Sequence, residues 1–259
     1  MKIYISTDLE GATGVFKFAQ TREKGAPEFR DAMRYLMHDI AAVAEGLIEA
    51  GADEVLALDG HDGGNNFPPD HMKPGVRYIT GWPRGDALWG LDESCDGLIL
   101  LAAHAMNGTA DGVLHHTQSS KAEAKYWYDD VEHGEIYQQA VIAGHFDVPV
   151  IMVTGDEAAC REARALLGED LPTVAVKKGI SREAAVLIPF EETYEMLKEG
   201  GRRAVEEMPK RKPYKVKLPI QLRTRRLGPN PDSLDNPHFI ERTAEVKSAL
   251  DIISGSADR

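Results

Sequence analysis

Cysteine is nearly absent. The 259 residues hold two, Cys95 and Cys160, at no metal-binding or redox spacing, which excludes a disulfide-stapled scaffold or a cysteine-ligated metal module and reads as two reduced, buried thiols. Long apolar runs are also missing. The run after Met1-Lys2 is far shorter than a signal-peptide core or a membrane span, so a cytoplasmic protein is expected, with no membrane partner. Positive charge is in deficit, with 30 Lys and Arg against 42 Asp and Glu, a net charge of -12. An acidic surface repels phosphate, so neither nucleic acid nor an anionic membrane is an expected partner. No Gly-x-Gly-x-x-Gly follows the first strand, which removes the usual nicotinamide-binding signal. No internal repeat is visible.

What is present is a globular composition, 42% hydrophobic and 28% charged, long enough for one large domain or two small ones. Ile3-Tyr4-Ile5 reads as a strand, Pro27 to Ala50 as a helix with apolar residues at helical spacing, and Val55 to Leu58 as a second, parallel strand. Further buried strands are expected at Leu98–Leu101, Val148–Val153 and Thr173–Val176, with a helix at Glu157–Leu167 capped by Asp156. The expected fold is α/β: a three-layer α/β/α core with a mostly parallel central sheet, plus a smaller, divergent C-terminal α+β region. In that region Glu191–Met208 reads as a charged helix weakened by Gly200-Gly201, and KRKPYKVKLPIQLRTRR as a basic edge strand. LGPNPDSLDNP reads as a loop, Phe239–Ile253 as a last helix, and SGSADR as a frayed tail.

The polar residues fall at strand ends. Asp8 and Glu10 follow the first strand, two apart and therefore able to converge, with Gly11 and Gly14 letting the backbone turn away. His61 follows the second strand and His104 the third. Each alone has a plain explanation as a turn former, cap or structural histidine. Together they sit where open parallel sheets bind ligands, and carboxylate with imidazole suits zinc. Adjacent His115 and His116, and Glu132, His133 and Glu135 at the start of a helix, are further candidates that composition does not separate. Asn65 and Asn66 read equally as loop formers or polar donors near the site. A rival reading makes Asp8 the nucleophile of a Mg²⁺-dependent aspartyl-phosphate phosphatase, but Glu10 replaces that motif's second Asp and the histidines have no role in it. A third reading keeps the metal shell in a catalytically silent scaffold.

The segments STDLEGATG, LDGHDGGNN, AAHAMNGTADGVLHHT, GEIYQQAVIAGHFDVPVIMVTGD and VAVKKGISREAA occur in this order. Together they resemble the D-aminopeptidase family of di-zinc metallopeptidases over about residues 1–190. The resemblance implies a catalytic domain over 1–190 and a C-terminal region, 191–259, available for oligomerisation. It implies five metal ligands, Asp8, Glu10, His61, His104 and Glu135, with Asp8 bridging two Zn²⁺ per subunit. It implies His116 as the catalytic histidine, with His115 as the fallback. It further implies a homo-oligomer, a ring-based decamer in the known type, acting on short peptides with an N-terminal D-amino acid, often D-alanine. Where the family commonly has Gly and then Asn-Ala after the glutamate, this chain has Tyr137 and Gln139-Ala140. The bulk of Tyr137 is expected to close or reshape a substrate pocket.

Overall fold

Ile3 and Ile5 face one side of the first strand and Tyr4 the other, and all three are fully buried. Such a strand needs cover on both faces. In the computed structural model, which describes residues 1–228 and 238–255, the elements run β1 (Lys2–Thr7), α1 (Ala19–Arg22), α2 (Pro27–Glu49), β2 (Glu54–Asp59), β3 (Val76–Ile79), β4 (Gly97–Ala103), β5 (Lys125–Tyr128), β6 (Val131–Glu132), α3 (Glu135–His145), β7 (Val150–Asp156), α4 (Glu157–Leu167), β8 (Thr173–Ser181), β9 (Ala184–Leu187), α5 (Phe190–Glu207), β10 (Ile220–Leu227) and β11 (Phe239–Val246). Seven strands form one sheet in the order β3-β2-β1-β4-β7-β8-β9. All neighbours are parallel except the last pair, β8 and β9. Helices α2 and α5 pack on the face of Ile3 and Ile5, and α3 and α4 on the face of Tyr4. The expected three-layer α/β/α fold is therefore the observed one.

Helix α5 lies closely against α2. A Cβ on Gly46 would overlap the Lys198 carbonyl oxygen, and one on Gly201 would press on the Val43 carbonyl. Gly201, one of the pair that weakens α5 in isolation, thus lets that helix touch α2 together with Gly46, while Gly200 packs against Val174 and Met152 of the sheet.

A second, antiparallel sheet has the order β11-β10-β5-β6. Two expectations change here. Phe239–Val246 is a strand rather than part of a helix, and among the described residues after it a single 3-10 turn forms at Ala249–Asp251. Its eight residues pair in continuous register with β10, from Leu227↔Phe239 to Ile220↔Val246, a partnership that periodicity within one segment does not reveal. The basic segment becomes a strand only from Ile220, and that strand lies inside its sheet, between β11 and β5, rather than at an edge. The stretch before it runs over α3, where the Tyr214 backbone sits against Gly144. Most of the expected loop, residues 229–237, and residues 256–259 of the tail lie outside the described residues.

Strand order reverses between β1 and β4: the chain passes from β1 out to β2 and β3, then returns to pair β4 on the other side of β1. In open α/β sheets the crevice at such a switch point, beyond the carboxyl ends of the strands, is where ligands bind.

Candidate active site

The residues flanking that crevice are the ones singled out by the sequence. Asp8 directly follows β1, His104 directly follows β4, His61 opens the turn after β2, and Glu135 is the first residue of α3. The β1 loop is tied to the end of β4 by two backbone hydrogen bonds, from Asp8 to Leu101 (2.9 Å) and from Gly11 to Ala102 (2.8 Å). A Cβ on Gly11 would overlap the Ala103 carbonyl, so this approach requires glycine. On β4 the pairing with β7 is irregular between Leu100 and Ala103, and Ala102 takes a φ of 61°. Thr154 Oγ1 accepts from the freed Ala102 N–H at 2.9 Å. Irregularities of this kind re-aim the chain at the end of a strand, here immediately before His104.

Asp8 sits between two imidazoles. Its Oδ1 is 3.0 Å from His61 Nδ1, and its Oδ2 is 3.2 Å from His104 Nε2. Glu10 Oε2 lies 3.1 Å from the same His61 nitrogen, and Glu135 Oε1 lies 3.4 Å from the same His104 nitrogen. The ring of His116 stacks on that of His104, with centroids 3.9 Å apart. One ligating atom each from His104, His116 and Glu135, and one each from Asp8, Glu10 and His104, fall within 4.8 Å of one another.

Hydrogen bonding shows which nitrogen of each histidine has to donate. The outward nitrogens all face backbone carbonyls, which only accept: His61 Nε2 donates to Thr21 (2.9 Å), His104 Nδ1 to Ala105 (3.0 Å) and His116 Nδ1 to Leu114 (2.8 Å). A neutral imidazole has one N–H. In that neutral form the inward nitrogens of His61 and His104 would turn lone pairs onto carboxylate oxygens 3.0 and 3.2 Å away, and the His61 Nδ1–Asp8 Oδ1 contact has hydrogen-bond geometry only if a proton lies between them. Two lone pairs that close repel unless a cation, proton or metal, lies between them. Glu10 Oε2 and His104 Nε2 are buried and, despite these short distances, make no hydrogen bond of proper geometry. Two ligands on a tetrahedral zinc stand about 3.3 Å apart, given zinc bonds of about 2.0–2.1 Å. The residues therefore fit a metal of that kind, with outward N–H groups held as in metal-ligating histidines.

The electrostatics agree. Burial alone would lower the pKa of His61, but the Glu10 and Asp8 carboxylates push it well above the ordinary histidine value. For His104 burial is likewise overcome, by Asp8 and Glu135. Burial would raise Asp8, but His104 and His61 hold it well below the usual carboxylate range. Glu135 is lowered against burial by His104. Any cation entering the cluster displaces protons from two imidazoles. His116 moves the other way, lowered by burial and then by His104, so it is neutral at neutral pH.

Several contributors escape a reading of the sequence. Lys177, on β8, is fully buried, and its Nζ donates to the carbonyls of Glu10 and Ala12 at 2.7 Å each. A signal existed: two adjacent lysines in a buried strand cannot both reach water. Asp39 of α2 accepts from Thr13 N at 2.8 Å, bracing the same loop. The Gln118 backbone donates to Glu135 Oε1 at 2.7 Å. Asp156 caps α4 through Ala159 N as expected, and its other oxygen accepts from Val113 N at 2.7 Å, three residues before His116. Asn66 is a buried loop brace, donating to Asp59 and to the His61 carbonyl, whereas Asn65 is exposed.

Other candidates point elsewhere. His115 accepts from Gly108 N at 3.0 Å, and its pKa is pushed down to about 4 by burial and by Arg182. Glu132 pairs with Lys125. His133 stacks on Tyr137 at 4.1 Å. Tyr137 itself is buried among Tyr128, His133 and Tyr214 and does not line the cavity, so the expected pocket closure does not occur. Gln139 does line it.

A cavity of about 820 Å³ opens over the cluster, with Asp8, Glu10, His61, Glu135 and His116 at its inner end. Carboxylates and imidazoles gathered at a buried rim and facing open space fit a metal-dependent hydrolase. Asp8 as a phosphatase nucleophile is not favoured, since both its oxygens face imidazole nitrogens.

Residues 1–230 match the model of a family described as D-aminopeptidase, and the chain belongs to that family. It is accordingly a metallo-aminopeptidase, a hydrolase of peptide bonds. Among curated proteins it is 31% identical over 220 residues to a D-aminopeptidase of Bacillus subtilis (strain 168), covering 82% of this chain and 77% of the relative. Among solved structures it superposes on the Zn-dependent D-aminopeptidase DppA of Bacillus subtilis, described as a self-compartmentalizing protease. That superposition has a TM-score of 0.86 at 26% identity and covers 98% of this chain and 94% of the other.

Proposed function

We propose that the chain is a zinc aminopeptidase that releases N-terminal D-amino acids from short peptides. Two Zn²⁺ per subunit would be held by Asp8, Glu10, His61, His104 and Glu135, with Asp8 shared between them. The observation that carries this reading is the placement of His61 and His104: each donates to a backbone carbonyl through one ring nitrogen and turns the other onto carboxylates. When bound, zinc polarises the scissile carbonyl and makes water a competent nucleophile near neutral pH.

The chain's own groups do the rest. His116, neutral and fixed through Nδ1 to Leu114, has Nε2 as its proton-exchanging atom. It takes a proton from the attacking water and delivers it to the departing amine nitrogen. Its ring stacks on that of His104, which puts it beside the residues that would hold the metal. Lys177 holds the loop that carries Glu10 in place by one hydrogen bond each to the Glu10 and Ala12 carbonyls.

The finer parts of the proposal are a cytoplasmic location and a homo-oligomer, extending to a ring-based decamer. No helix among the described residues is long and apolar enough to cross a membrane. Ile180 of β8 and Val186 and Leu187 of β9 are exposed at that end of the large sheet, which supports a subunit contact there.

The test pairs metal analysis with hydrolysis of matched D- and L-aminoacyl peptides. Two zinc ions per chain and turnover of the D-series are expected. Stoichiometric zinc with no release from either series would replace the peptidase with a silent metal-binding scaffold. Release from the L-series alone would keep the enzyme and discard the stereochemistry. Light scattering on the zinc-loaded protein checks the assembly, and a monomer would remove it.

A further inference from the structure

Two glutamines follow one another on α3 and behave differently. Gln138 is fully buried and satisfied: its Nε2 donates to the Tyr128 hydroxyl at 2.8 Å, and its Oε1 accepts from Gln118 Nε2 at 2.7 Å. Gln139 has no such partners, and its Oε1 is buried without a hydrogen bond. Gln139 is four residues after Glu135, so the two side chains share one face of the helix. That face forms the inner end of the main cavity, beside Asp8 and His116. The same side chain also borders a water-sized recess beneath the cluster, together with Asp8, His104 and Glu135.

A buried amide oxygen left unpaired costs about 1–3 kcal/mol. A position that carries this cost in the cavity of an enzyme calls for a donor that arrives with the ligand. The protein groups around it do not supply one: Asp8 and Glu135 are acceptors, and His104 and His116 have committed their N–H groups to carbonyls. With Asp8, Glu10 and Glu135 engaged by the metal ions of the proposed site, the donor has to be a hydrogen-rich group of the ligand. A short peptide carries one such group, its N-terminal amine. The scissile nitrogen is a weaker claimant, because it must receive a proton rather than give one.

We propose that Gln139 recognises the free α-amine of the substrate, its Oε1 accepting a hydrogen bond from the N-terminal nitrogen and so selecting peptides with an unblocked end. This rests on the aminopeptidase reading and adds to it a residue that sets where the chain end lies. Tyr137, two residues earlier, faces the aromatic cluster and has no part in this selection.

The test uses the zinc-loaded full chain with a free-amine dipeptide, D-alanyl-glycine, as substrate. Its propionyl counterpart, in which hydrogen replaces the amine, serves as a competitive inhibitor. The ratio of the propionyl KI to the dipeptide KM reports amine recognition. Gln139→Met removes the acceptor at similar length, and the ratio should fall by about tenfold or more, mainly through KM, with zinc content unchanged. Gln139→Asn withdraws the oxygen by one methylene and should also lower the ratio, giving a second reading if the first variant fails to fold. Gln139→Glu keeps an acceptor at the same reach and should preserve the ratio. An unchanged ratio in folded Met and Asn variants would overturn the inference and leave Gln139 as a partner for a bound water. Loss of zinc in those variants would also overturn it, making the residue a support for the metal. A wild-type protein with full zinc that cleaves no peptide of either hand would overturn the aminopeptidase reading itself.

Discussion

Lys177 on the seven-stranded sheet and Arg223 on the four-stranded sheet are both cations on strands, in opposite circumstances. Lys177 is fully buried, burial brings its pKa down to about 8, and its ammonium holds two carbonyls of the loop that carries Asp8 and Glu10. Arg223 lies on a partly exposed strand and rests over the Trp127 ring at 3.9 Å. The contrast extends to each sheet as a whole. Around the large sheet's rim, polar groups are buried and braced by the backbone. On β10 and β11 they lie largely towards solvent, with Arg225 over Phe239 at 4.7 Å as a second example. A buried group that must be satisfied exactly once holds the atoms near it in one place, whereas an exposed stacked pair contributes little beyond local packing. The small sheet's region serves the site differently, as wall: Leu250 and Ile253, just after β11, line the cavity.

Substitutions should reproduce this contrast in descending order. His104→Ala removes the imidazole whose lone pair faces both Asp8 and Glu135, so zinc content should fall and peptide hydrolysis should drop to background. Metal analysis and initial rates read this directly, and retained zinc with full activity would break the comparison at its strongest point. His116→Ala should lower kcat by about 10²–10⁴-fold while zinc stays bound. An equal effect from His115→Ala would show that the two neighbours had been assigned the wrong way round. Lys177→Met should weaken zinc binding by about 10–100-fold, as loss of a group that orients a ligand does. Competition with a chelator measures it, and an unshifted affinity would place Lys177 with the merely structural residues. Arg223→Ala should leave rates unchanged and cost about 0.5–1 kcal/mol in denaturant unfolding. A larger loss would mean that the small sheet is as tightly determined as the rim.

Five of the large sheet's seven strands, β1, β2, β4, β7 and β8, were legible because they hold continuous apolar runs and need no knowledge of their partners; β9 was not. β4 and β7 are buried at every position, and both stand out in the sequence as Leu/Ile/Val segments. The short strands β3, β5 and β6 were not, since their residues are mixed in character and gain identity only by pairing. β11 is the clearest case: its residues satisfy a helical pattern well enough, and only the register with β10 decides against it. At the site, the residues read from strand ends and motifs meet in one cluster. What stayed hidden was everything that orients them. The carbonyls of Thr21, Ala105 and Leu114 that set the proton positions are backbone atoms, which side-chain identity does not reveal. The bulk of Tyr137 suggested a blocked pocket, because helix rotation relative to the cavity is a tertiary fact.

Anomalous diffraction at the zinc edge from crystals of the zinc-loaded protein addresses the account most directly. Two peaks are predicted on either side of Asp8, one beside Glu10 and His61 and the other beside His104 and Glu135. Stoichiometric zinc located away from these five side chains would contradict it.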